Sequence, residues 1–402
     1  MNNLMTLLTA LCVPLDRFKE IDDPAMKFGL PIVLVGPPGI GKSEFVEQAG
    51  EALNLFVHTV FPAGMNPEDV KGLPVQDGRG DLRRTTDDAG VKMLAEIAEG
   101  ILFLDEMNTN RVNMQAALLS VTLRREYGGI KLPPRCRIVA AMNPPECSAG
   151  GIPLTLPMAN RYCHVPFNPH TKREWCDWHM GYAQDAKITL YDAHKKLEEN
   201  WNDMAAKVRG TITGFMESGA SVLYDMPQPG SPEASSAWTS ERTWFWASQA
   251  IITSRILEAG VEVENTLVEG CVGEAQATAL YAYLKDANLP SPEEMLKNGW
   301  DPDVIRLDRS MAAYESLCAF VSGKPDTTER TLMGVKTWKM LKQACDAGLA
   351  DLIYKPAVSL VNRGLGISRD PKLPENADLA AAVKPVLDRF YNYNDLLTGK
   401  KR

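Results

Sequence analysis

One loop constrains this chain more than anything else in it: Gly36-Pro37-Pro38-Gly39-Ile40-Gly41-Lys42-Ser43. It fits G-x-x-x-x-G-K-[ST] in full and stands between a short apolar run, Ile32–Val35, and a helical pattern over residues 42–53. Strand, glycine turn and helix in that order let backbone N–H groups close around phosphate oxygens, with the positive end of the helix dipole behind them. Such a loop needs a sheet to stand on. Four further apolar runs, at 56–61, 101–104, 137–142 and 162–166, alternate with helical patterns. Continuous apolar strands separated by helices predict an α/β fold whose parallel sheet is buried on both faces.

Beyond about residue 170 the strand signal fades. Helical periodicity predicts helices at 186–208, 242–259, 261–286, 310–321, 328–349 and 379–397. Proline-bearing breaks at 225–237 and 288–303 read as loops. The organisation expected is an N-terminal helix (1–27), an α/β core (28–170), a helical region with an insertion (171–290) and a C-terminal helical region (291–402). The length of 402 residues suits two to three domains at about 150 residues each.

Composition narrows the partners. With 45% apolar and 23% charged residues the chain is of globular type, so disorder does not describe it. A net charge of −8 argues against coating nucleic acid by bulk charge. Eight cysteines without a C-x-x-C pair form no disulfide framework. No run reaches the ~18 apolar residues of a membrane helix. The apolar stretch 4–13 has no cation before Arg17 and no small-residue cleavage site, so it reads as a first helix and not a leader. A cytoplasmic protein is expected, with no membrane insertion.

The chemistry-bearing residues fall at strand ends. Lys42 is placed to neutralise β- and γ-phosphates, and Ser43 to offer its hydroxyl to Mg²⁺. The run Ile101-Leu102-Phe103-Leu104 leads into Asp105 and Glu106, one carboxylate for the metal shell and one to polarise an attacking water. Asn143 follows the 137–142 run and would stand at the carboxyl edge of the sheet, where ligands of open α/β sheets collect. Arg242 follows Ser240 at a helix start, where a cation opposes the dipole unless an anion is near.

Taken in order, GPPGIGKS (36–43), GILFLDEMN (100–108), IVAAMNPPE (138–146), LPMANRY (156–162) and SER (240–242) resemble the motifs of an AAA+ ATPase, and within that group the MoxR branch. The resemblance covers roughly residues 28–290. It implies ATP and Mg²⁺ as cofactors and an αβα core with sheet order 5-1-4-3-2, a helical lid and a further C-terminal helical region. It assigns Gly36, Pro37, Pro38, Gly39, Ile40, Gly41, Lys42, Ser43 and Glu44 to the nucleotide loop, and Asp105 and Glu106 to the metal and the water. Asn143 matches the first sensor, Arg161 the arginine finger offered to a neighbouring subunit, and Arg242 the second sensor. It implies a ring, hexameric as a rule in the family, that remodels a client protein together with a von Willebrand factor A domain protein. Two inserted hairpins, at 75–82 and 124–133, would reach the pore. Sensor 2 reads Ser-Glu-Arg where Ser-Pro-Arg is commoner, and residues after ~300 lie outside the resemblance. The rivals are a nucleic-acid motor, disfavoured by the lack of a basic, aromatic-interleaved stripe, and a structural ring that binds ATP without turnover.

Three other features carry less chemistry. Cys163, His164, His170, Cys176 and His179 lie close in sequence, but adjacent strand residues alternate faces and chelate poorly, so they read as packing residues. Trp238, Trp244, Phe245 and Trp246 read as part core, part contact surface. In the last hundred residues Leu332, Val335, Trp338, Leu341 and Cys345 recur at helical spacing. That face must be buried, on neighbouring helices or on a docked partner.

Overall fold

The computed structural model describes residues 3–17, 19–76, 80–109, 112–144, 147, 152–180, 188–287, 289–366 and 374–398. Two compact units emerge, one of residues 1–199 with 223–277, the other of residues 200–222 with 278–402.

In the first unit α1 (Asn3–Cys12) precedes β1 (Ile32–Val35), α2 (Lys42–Ala52), β2 (Phe56–Val60), α3 (Pro67–Lys71), the hairpin β3 (Leu73–Gln76) and β4 (Leu82–Thr85), then α4 (Ala89–Ile97) and β5 (Glu99–Leu104). There follow α5 (Val112–Arg124), the hairpin β6 (Glu126–Tyr127) and β7 (Ile130–Lys131), β8 (Arg135–Met142), α6 (Leu156–Ala159), β9 (Cys163–Pro166) and α7 (Lys172–His179). The start of α8 (Leu190–Glu217), α9 (Glu241–Ile256), α10 (Val261–Val272) and the start of α11 (Glu274–Ala287) complete the unit.

The five-stranded sheet runs β2-β5-β8-β1-β9, with every pairing parallel. The expected order 5-1-4-3-2 counts the strands of this sheet alone. The whole-chain order differs in its numbers because two hairpins, β3-β4 and β6-β7, interleave four more strands. β5 and β8 are buried almost end to end, as strands covered on both faces must be. One face packs Leu102, Leu104, Ile138 and Ala140 against Leu94 of α4 and Ala117, Leu118 and Val121 of α5. The β3-β4 arms of the hairpin expected at 75–82 are extended, while residues 77–79 between them lie outside the described residues.

The second unit holds the rest of α8 and α11 with α12 (Pro292–Asn298), α13 (Leu307–Gly323), α14 (Thr328–Asp346), α15 (Ala350–Asn362) and α16 (Pro374–Thr398). It has its own core: Val335, Trp338, Leu341 and Cys345 of α14 pack with Ile353 and Leu360 of α15 and Leu379 and Val383 of α16. The periodic face of α14 is therefore covered by its neighbours, apart from Leu332, which stays exposed.

Three of the departures of the helices from the expected bounds have a plain physical reason. α8 runs past 208 through Gly210 and Gly214, poor helix formers, because α13 lies against them. A Cβ at Gly210 would stand 2.6 Å from the Ser316 nitrogen, and one at Gly214 2.3 Å from Cβ of Ala312. The 261–286 pattern is two helices, broken at Gly273 with φ +83°. α12 sits inside a stretch that reads as a loop. There Pro292 is the first helical residue and Ser291 closes a capping box with Glu294, so the proline starts a helix and breaks none. Among the described residues no helix is long and apolar enough to cross a membrane.

Candidate active site

The parallel register carries three strand ends to one edge of the sheet. Val35 pairs with Met142 and Leu104 with Ala140, so Gly36, Asp105 and Asn143 all emerge at the carboxyl edge. Backbone packing there demands glycine at position 36. A Cβ on Gly36 would stand 2.1 Å from the Phe167 carbonyl oxygen, and its N–H donates to the Met142 carbonyl at 3.2 Å. Gly41 takes φ 84° at the N-cap of α2 and provides no side-chain cap, so the N–H groups of the first turn face the loop.

Two side chains of α2 meet the other strand ends. The buried Lys42 ammonium donates to the Gly36 carbonyl at 2.7 Å, the Pro37 carbonyl at 2.9 Å and Oδ1 of Asn143 at 2.8 Å. Burial pushes its pKa down, and the Asp105 carboxylate works against that shift. Ser43 Oγ donates to Asp105 Oδ2 at 2.6 Å, while Asp105 Oδ1 accepts the Glu106 N–H at 2.8 Å. The Glu106 side chain is exposed, and its backbone is left-handed, with φ +54°. Around these groups lies a cavity of about 470 Å³ lined by Pro38, Gly39, Gly41, Lys42, Ser43, Glu44, Asp105, Glu106, Met142 and Asn143. That volume is in the range of small-ligand sites.

Of the expected residues, Gly36 and Pro37 enter through their carbonyls, and the Ile40 side chain lies under the loop, close to where a Cβ on Gly36 would be. Arg161 and Arg242 do not line the cavity. They lie near one another instead: burial first, and then the charge of Arg242, lowers the Arg161 pKa, and burial lowers that of Arg242. Ser240 caps α9, accepting the Thr243 N–H at 3.3 Å.

Two asparagines carry more than the sequence revealed. Buried Asn108 grips the backbone of residue 143 at both ends: its Nδ2 donates to the Asn143 carbonyl at 2.6 Å, and its Oδ1 accepts the Asn143 N–H at 3.3 Å. Asn160 does the same kind of work between α6 and α9, as set out below. The one available signal is position, since each lies in a motif phrase within two residues of a candidate residue.

The Cys/His group does not converge. Cys163 Sγ donates to the Leu267 carbonyl at 3.4 Å, His164 Nε2 meets the Ala159 carbonyl at 3.0 Å, and His179 stacks on Trp175. Among the described residues no three His, Cys, Asp or Glu side chains are grouped to hold a metal.

Comparison with known proteins places the segment that carries these residues. The family model for the AAA domain of the dynein-related subfamily matches residues 31–158. No curated protein matches the chain. Among solved structures, a candidate ATPase from Cytophaga hutchinsonii is similar at 15% identity over 71% of this chain and 87% of that one, with a TM-score of 0.41, a likeness too loose to carry an argument.

Proposed function

We propose that this chain, an AAA+ protein by its domain at residues 31–158, is a MoxR-type ATPase: a ring-forming motor that couples ATP hydrolysis to remodelling a protein client. The observation that carries the reading is the convergence of Lys42 and Ser43 on Asn143 and Asp105, from the ends of three strands, around a cavity whose mouth also holds Glu106. Loop carbonyls and the Asn143 amide hold the ammonium where phosphate oxygens would compete for it. Ser43 and Asp105 offer a hydroxyl and a carboxylate oxygen 2.6 Å apart, a hard-oxygen pair that fits Mg²⁺. When bound, the ion supplies charge neutralisation between the terminal phosphates. Glu106, exposed beside Asp105, would accept a proton from an attacking water, and Asn143 would orient groups near the terminal phosphate.

The ring, the hexamer and the von Willebrand factor A partner rest on the resemblance to MoxR proteins, and so does Arg161 as the finger for a neighbouring subunit. The test is direct. Purified protein should release phosphate from ATP in the presence of Mg²⁺. Lys42→Ala should lose ATP affinity, and Glu106→Gln should keep affinity while losing turnover by roughly 10²-fold or more. Tight ATP binding by the wild type with no turnover would establish the structural-ring alternative instead.

A further inference from the structure

The turn that ends α6 and the start of α9 are pinned together by one buried amide. Asn160 Nδ2 donates to the Trp238 carbonyl at 3.0 Å. Its Oδ1 accepts from Ser240 Oγ at 3.0 Å and from Arg242 Nη1 at 3.4 Å. Trp238 itself is seated in the core of the α/β unit, so the amide is tied to a fixed wall. The next residue along is Arg161. Its Nη1 donates to the Pro157 carbonyl at 2.7 Å, and its Nε is buried without a hydrogen-bond partner. Neither guanidinium forms an ion pair among the described residues, and after burial the charge of Arg242 lowers the Arg161 pKa. Two like charges held close without a counter-ion are poised for an anion.

We infer that Asn160 is a positioning residue that ties Arg242 to the turn carrying Arg161, so that an anion captured by one guanidinium is registered at the other. Its Oδ1 is the shared acceptor. When a phosphate draws Arg242 away, Asn160 loses one of its bonds and Arg161 loses a neighbouring positive charge, which frees the Arg161 guanidinium to reorient. This rests on the proposed function for the direction each arginine faces: Arg242 toward the nucleotide of its own subunit, Arg161 toward that of the next. Nucleotide binding in one site would then set the finger offered to its neighbour.

The decisive variant is Asn160→Asp. It keeps the size and both acceptor contacts and holds Arg242 with a full charge, while giving up the hydrogen bond donated to the Trp238 carbonyl. Binding of a fluorescent ATP analogue to the full-length protein should weaken at least fivefold, with the loss reduced by added salt. The same substitution in an Arg242→Ala background should change affinity less than twofold. Asn160→Ala, tested beside it, should lower kcat at least tenfold and add less than twofold to the loss already seen in Arg242→Ala. Wild-type affinity in Asn160→Asp, or losses that multiply independently of Arg242, would overturn the inference. The lost bond to the Trp238 carbonyl lowers the thermal midpoint of Asn160→Asp under either role, but a merely structural role would carry the full affinity loss into the Arg242→Ala background. If the wild type binds ATP but does not hydrolyse it, the motor reading fails while the affinity cycle still reads the link between Asn160 and Arg242.

Discussion

Replacing Glu106 with glycine should abolish hydrolysis without weakening the fold. Glu106 holds φ +54°, and a non-glycine residue in that region costs about 1–2 kcal/mol. Glycine removes this cost but adds about 0.5–1 kcal/mol of unfolded-state entropy. The net expectation for Glu106→Gly is between about 0 and +1.5 kcal/mol of added stability. At about 2–4 °C per kcal/mol for a unit of this size, the melting temperature should stay level or rise by up to roughly 5 °C. The proper reference is glycine where the backbone is ordinary. Glu198, exposed in the interior of α8, is such a place, and Glu198→Gly should cost about 1 kcal/mol. Thermal and urea melts of the nucleotide-free protein, with phosphate release measured alongside, read both effects. Glu106→Gln separates chemistry from backbone, losing turnover with an unchanged melt. If Glu106→Gly unfolds as early as Glu198→Gly, strain is not stored at this position and the reasoning fails.

Asn108→Ala removes both hydrogen bonds to residue 143 and leaves half-buried backbone groups short of a partner, which should cost about 1–2 kcal/mol in a urea melt and at least tenfold in kcat. Inactive Arg161→Ala and inactive Glu106→Gln proteins, once mixed and shown by native mass spectrometry to exchange subunits, should regain part of the ATPase rate; no regain would place the finger elsewhere. His194 lies against the Phe28 ring edge and the Arg137 guanidinium, and burial first, then the charge of Arg137, pushes its pKa down to about 3. The folded state thus keeps it neutral while the unfolded chain protonates near the ordinary 6.5, so its stabilisation is full above about pH 6.5 and is lost as pH falls toward 3. Urea midpoints should drop between pH 7.5 and pH 5 by the equivalent of about 2 kcal/mol, and His194→Gln should flatten that slope.

What could be read from residues alone was whatever local chemistry dictates. β1 has the bounds its apolar run and the following Gly36 predict, and β2, β5, β8 and β9 each fall within two residues of theirs. The signal is strongest in β1, β5 and β8 because both their faces are buried. The loop at 36–43 was legible for the same reason, since glycine and lysine in that pattern serve few ends besides phosphate. Helix ends were less legible. α8 continues through two glycines because α13 packs against them, a tertiary contact between residues a hundred positions apart that no local propensity reports. α12 was hidden by a proline that plays opposite roles at a helix start and within a helix. Asn108 and Asn160 were invisible as functional residues because their partners lie 35 and about 80 positions away. An asparagine near a proline or at a helix end is a turn residue until its partner is known.

The places where this chain breaks local rules are not scattered. A left-handed glutamate, a buried ammonium held by backbone carbonyls, and a glycine forced by a carbonyl 2.1 Å from its missing Cβ all lie at the carboxyl edge of one sheet. Each is a cost that a sequence selected for stability alone would remove: the glutamate by glycine, the lysine by an apolar residue of its length. Strain of this kind persists where the surrounding structure overdetermines it. Here β1, β5 and β8, nearly fully buried and in fixed parallel register, are the frame that does so. The two guanidinium groups, neither in an ion pair among the described residues, fit the same logic, since like charges kept near one another gain when an anion arrives. Local inconsistency concentrated at a site, with consistency elsewhere, is what function imposes on a folded chain. The pattern therefore adds geometric support, from burial, backbone strain and close packing, to the proposal of an anion-binding site at this edge.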